Sequence, residues 1–106
     1  MEHASIAYEG ELHPVGRSPR VVTLSGVVDA GVTGALQKLL AQLGPEEEVV
    51  VDCRAARQWH DCALPALAIA LRNAGCVVKL VGLGYHQDRV LRYLDREVWE
   101  RCGGVR

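Results

Sequence analysis

A chain of 106 residues is long enough for one compact domain, of radius of gyration roughly 13 Å, and too short for two separate cores. Hydrophobic residues make up 49% and charged residues 24%, a globular composition that excludes an intrinsically disordered chain. Twelve basic against thirteen acidic residues leave a net charge of −1, so no nucleic-acid partner is expected.

The start Met1-Glu2-His3-Ala4-Ser5 has neither a positive n-region nor an apolar run, and no stretch reaches the length of about 18 apolar residues that a membrane span needs. A cytoplasmic protein without membrane insertion is expected. Cys53, Cys62, Cys76 and Cys102 are accordingly read as reduced thiols rather than as a disulfide framework.

In chain order, Ser5 to Glu11 reads as a strand, and the Pro14 to Pro19 segment of Pro, Gly, Ser and Arg as a loop. Val21 to Ser25 is a β-branched strand that stops at Gly26. Asp29 precedes a helix whose Leu36, Leu39, Leu40 and Leu43 form one apolar stripe, ended by Gly44-Pro45. Glu48 to Cys53 contains the apolar run Val49-Val50-Val51, which suits a central strand covered on both faces. A second helix starts near Asp61, striped by Leu64, Leu67, Ala68 and Leu71 and stopped at Asn73-Ala74-Gly75; Pro65 is tolerable only in its first turn. Cys76 to Val81 is the next strand, bent away by Gly82 and Gly84. One helix then runs from about His86 to Cys102, with Val90, Leu91, Leu94 and Val98 on a common face.

Alternating strands and helices with short connections specify a single α/β domain over residues 1–106, with its core in about 5–95. The sheet is mixed, mainly parallel, joined by right-handed crossovers, with helices on its faces. Ligands of such sheets gather at the carboxyl ends of the parallel strands, where Asp29, the turn through His60, Asp61 and Cys62, and Gly84-Tyr85 converge.

The stretch Gln58-Trp59-His60-Asp61-Cys62 bunches reactive side chains at a helix start, and each has a plain structural alternative. Asp61 and Asp29 fit helix caps. Trp59 fits either a contact anchor or packing under the turn. Cys62, two residues from His60, has the setting of an activated thiolate, against a small side chain that fills space. Cys53, His60 and Cys62 do not have an established zinc spacing and lack an obvious fourth ligand. With no paired carboxylates, no Gly-rich phosphate loop and an incomplete glycine set at Gly82 and Gly84, the sequence predicts a protein that is not an enzyme and holds no cofactor.

The order Leu24-Ser25-Gly26-Val27-Val28-Asp29, a leucine-striped helix, Val49-Val50-Val51-Asp52, a second helix and Val78-Lys79-Leu80-Val81-Gly82 resembles the STAS domain, the fold of bacterial anti-sigma factor antagonists. Strand patterns such as L-x-G-x-x-D and V-V-V-D carry the resemblance over about residues 5 to 95. The family's second helix opens with D-S-S-G or D-S-T-G, whose second hydroxyl accepts phosphate from a partner kinase that doubles as an anti-sigma factor.

Two registers fit that signature. Matching Gly-Leu-x-x-Leu to Ala63-Leu64-Pro65-Ala66-Leu67 sets Cys62 at the acceptor position and needs no insertion; aligning Asp61 with the family Asp sets Ala63 there. Neither offers a Ser or Thr.

The resemblance therefore implies a non-catalytic protein-binding module whose docking rim comprises Asp29, His60, Asp61, Cys62, Ala63, Leu64 and Tyr85. Its implied partner is an anti-sigma factor of the kinase type. Two alternatives stand beside it: an accessory subunit packed on the ATPase of a lipid-transport ABC complex, and a thiol or small-ligand sensor using Cys62. A homodimer through an exposed helix face fits any of them. The chain's short tail leaves little room for the fourth helix that longer members of the family carry.

Overall fold

The computed structural model describes residues 5–9 and 20–103; the expected loop at Pro14 to Pro19 lies outside them. Its strands are β1 (Ser5–Glu9), β2 (Arg20–Val28), β3 (Glu48–Trp59) and β4 (Val77–Val81). Its helices are α1 (Ala30–Ala41), α2 (Ala63–Arg72), α3 (Tyr85–Leu94) and α4 (Arg96–Cys102). The strands form one sheet in the order β1-β2-β3-β4, with β1 antiparallel to β2 and the β2–β3 and β3–β4 pairs parallel. The mixed, mainly parallel α/β sheet expected from the sequence is the observed one.

The core follows from strand alternation. Val22 lies opposite Val51 and Val51 opposite Leu80, so the buried Val22, Leu24 and Val28, Val49, Val51 and Cys53, and Val78 and Leu80 share one face. Against that face the helices place Leu36 and Leu40, Leu64, Leu67 and Leu71, Leu91, and Val98. Of these leucines, the fully buried Leu36, Leu40, Leu67, Leu71 and Leu91 contribute about 1.5–3 kcal/mol each. The run Val49-Val50-Val51, expected to be covered on both faces, is fully buried only at Val49 and Val51. Val50 is half-buried on the other face, where Val77 and Val81 are 50% and 40% exposed, so among the described residues the helices cover one face of the sheet.

Both β2 and β3 run past the stops read from the sequence, and bulges explain how. Thr23 pairs with Asp52 but Ser25 with Ala55, and Gly26 with Ala56 but Val27 with Gln58, so β3 carries one extra residue at each of two places. Gly26 has φ +69°, a left-handed conformation that a glycine absorbs inside a strand without ending the pairing. At the first bulge the Arg54 backbone N–H donates to Asp52 Oδ1 at 3.0 Å, while the guanidinium reaches the same carboxylate at 2.7–3.2 Å. These bonds hold the Asp52 carboxyl below the usual carboxylate range.

The single last helix expected from His86 to Cys102 is in fact two, so there is a fourth helix. The chain breaks at Asp95, whose Oδ1 accepts the Val98 N–H at 3.1 Å as the N-cap of α4. Its Oδ2 takes Arg72 Nε and Nη2 at 2.7 and 2.6 Å, tying the corner to the end of α2. Trp99 Nε1 donates to Asp88 Oδ1 at 3.0 Å and folds α4 back on α3. Across this corner Leu91 and Val98 both face the core, whereas Leu94 stays 42% exposed.

Candidate functional site

The carboxyl ends of β2 and β3 are joined directly: the His60 N–H donates to the Val28 carbonyl at 3.0 Å. Asp29, one residue beyond Val28, accepts the Val32 N–H on Oδ1 at 3.1 Å and caps α1, as its position before the helix suggested. Thr33 is buried there and its hydroxyl donates to the Asp29 carbonyl at 3.2 Å, closing the first turn.

The turn after β3 departs from expectation. β3 continues to Trp59, His60 to Cys62 turn the chain, and the Ala63 N–H donates to the His60 carbonyl at 2.9 Å. The helix then opens at Ala63 with Cys62 at the cap position, and the Cys62 side chain makes no capping bond. Asp61 therefore sits one residue too early to be the N-cap. Pro65 falls on the third residue of α2, where its missing N–H leaves no helical bond unmade. Cys62 is exposed and Ala63 fully buried, so of these two side chains only Cys62 meets solvent.

Between this turn and α3 lies a groove of about 270 Å³, lined by Trp59, His60, Asp61 and Leu64 on one side and by His86, Val90 and Leu94 on the other. Of the residues proposed from sequence it gathers His60, Asp61 and Leu64; Asp29, Cys62, Ala63 and Tyr85 do not line it. Trp59 is half-buried and packs against the core as well as lining the groove. Tyr85 opens α3 at 74% exposure, with the Arg89 guanidinium 5.5 Å from its ring centre.

Val90 and Leu94 escaped the sequence reading because their stripe was assigned to the core. In the fold Leu91 carries that burial, and Leu94 keeps 42% of its surface exposed along the groove.

Cys53 is buried in the core cluster, and burial pushes its thiol up to about 12. Among the described residues no three His, Cys, Asp or Glu side chains are placed to hold a metal ion. None of the helices among those residues is long and apolar enough to cross a membrane.

No protein-family model matches the chain, and no curated protein matches it. Among solved structures, the crystal structure of an uncharacterized protein from the DUF3478 family of Shewanella loihica PV-4, with a SpoIIAA-like fold, is similar to it. The match has a TM-score of 0.57 over 96% of this chain and 98% of that one, at 16% identity. That likeness and the strand order give the chain the SpoIIAA-like fold of STAS domains.

Proposed function

We propose that the chain is a non-catalytic STAS-like protein-binding module of bacterial regulation, docking its partner at the rim formed by the His60 to Leu64 turn and the start of α3, without a phosphorylation switch. The observation that carries this reading is the chemistry at the start of α2. Where the resembling family keeps a hydroxyl, the solvent-facing side chain is Cys62, followed by the fully buried Ala63. A thiol is not the acceptor a serine kinase is built to use, and a buried methyl accepts nothing. Beside it the rim offers Trp59, Leu64, Val90 and Leu94 with His60, Asp61 and His86 around them, an apolar centre with a polar border as protein interfaces have.

The test is affinity purification of the native protein beside its Asp61→Arg and Cys62→Arg variants, both at exposed positions. The reading expects a stoichiometric partner, an anti-sigma factor of the kinase type or a transport ATPase, that is lost with both variants. It also expects no phosphate on the His60 to Leu64 turn in intact-mass spectra. A partner retained by both variants, or phosphate at that turn, overturns it.

A further inference from the structure

The groove between the His60 to Leu64 turn and α3 measures about 270 Å³. That is below the roughly 300–1,000 Å³ of pockets that enclose a drug-sized ligand, and it suits one long side chain reaching in from a partner. Among the described residues that line it, Asp61 is the one acid, and no lysine or arginine shares the lining. Arg89 lies outside, held against the Tyr85 ring.

Asp61 also differs from the other acids of the chain. Among the carboxylates whose side chains are described, only Asp61 and Glu46 make neither a hydrogen bond nor an ion pair. Glu46 stands in the turn before β3, at the opposite end of that strand. Water satisfies an exposed carboxylate in the free chain, so what sets Asp61 apart is its company. The Trp59 indole and the His60 and His86 imidazoles are flat rings, and the Gln87 amide oxygen is a further acceptor. The side chains of His60, His86 and Gln87 make no hydrogen bond among the described residues. Leu64 and Val90 supply apolar surface between them.

This is the chemistry that a guanidinium uses in full. It is planar, gives a carboxylate two parallel N–H bonds with others to spare, stacks on flat rings, and carries a methylene stem that packs on apolar surface. A lysine ammonium would use the carboxylate alone and stay strongly hydrated.

We propose that the groove receives an arginine side chain of the partner protein, its guanidinium donating to the Asp61 carboxylate and its stem lying along Leu64 and Val90. A second copy of this chain offers no such arginine among the described residues. Arg20, Arg54, Arg72 and Arg96 are held by carboxylates of their own chain, and Arg101 by the Leu71 carbonyl. Arg89 and Arg92 lie on the rings of Tyr85 and Trp99, and Arg57 also has an intrachain partner. The inference rests on the docking reading of the rim and names the partner residue that enters it.

The probe is N-acetylarginine methylamide, titrated into the ¹⁵N-labelled full chain and read by amide chemical shifts, beside its citrulline and lysine counterparts. Citrulline keeps the shape of arginine and removes the charge. The arginine probe should give saturable shifts centred on Asp61, Leu64 and His86, with a midpoint of roughly 1–10 mM. The citrulline probe should bind about tenfold more weakly or worse, and the lysine probe more weakly than arginine. Asp61→Asn should weaken the arginine probe by about tenfold, and Asp61→Glu should retain most of the binding. Asp61 is exposed, so circular dichroism and melting temperature of both variants should match the parent. Equal binding of arginine and citrulline, or of arginine and lysine, overturns the proposal. So do shifts that do not saturate or centre elsewhere, and binding indifferent to Asp61→Asn. A concentration-dependent dimer in sedimentation that Asp61→Asn dissolves would assign the groove to a second copy and overturn it as well. Failure of the arginine probe, with native partner capture kept by Asp61→Asn but lost on Asp61→Arg and Cys62→Arg, would remove this inference and leave the docking reading intact.

Discussion

Gly82 sits at φ +80°, and a Cβ there would meet the Arg54 backbone nitrogen at 2.8 Å and the Arg54 Cγ closer still. The bulge at Arg54 and the exit of β4 thus need a glycine, and Gly82→Ala should lower stability by on the order of 1–3 kcal/mol, read from urea unfolding. In sequence Gly82 is legible as a bend, but its neighbour is not, because Arg54 lies far away along the chain. Cys53 gives a second test. Its folded-state pKa is raised from 9.0 to about 12 by burial, so the unfolded chain loses the thiol proton first. The stability tied to the protonated thiol is complete below about pH 9 and drains away as pH rises towards about 12. The urea midpoint of the parent should therefore fall more steeply over that window than that of Cys53→Ala; equal slopes would contradict the assignment.

At the scale of elements, regular periodicity was readable and its interruptions were not. The leucine stripes of α1 and α2, and the apolar cores of β2, β3 and β4, are where the sequence places them. The sequence stops β2 at Gly26 and β3 at Cys53, whereas pairing continues through bulges that no local pattern announces. It reads one helix through Asp95, because the stripe across the corner stays in phase while the cap and the distant Arg72 turn the backbone. The two aspartates before helices separate by geometry as well. Asp29→Ala removes a side-chain cap and should cost about 1 kcal/mol. Asp61→Ala, exposed and one residue ahead of the cap position, should stay within about 0.5 kcal/mol of the parent. Equal losses in thermal or urea unfolding would restore Asp61 as the cap.

For the whole molecule, the strand motifs pointed to the SpoIIAA-like fold, while the groove of the candidate site was only half legible. The His60 to Leu64 turn could be found because reactive residues cluster beside a helix start. The other wall of the groove comes from α3, and a stripe facing a groove has the same periodicity as one facing a core. What distinguishes them is exposure, which depends on Leu91 taking the buried position and leaving Leu94 at the surface. The proposed docking rim is tested most directly by amide hydrogen exchange of the native partner complex against the free chain. Slowed exchange should concentrate in His60 to Leu64 and in α3 from Tyr85 to Leu94, with β4 (Val77–Val81) unchanged. Protection confined to β4, with the turn and α3 exchanging as in the free chain, would contradict it.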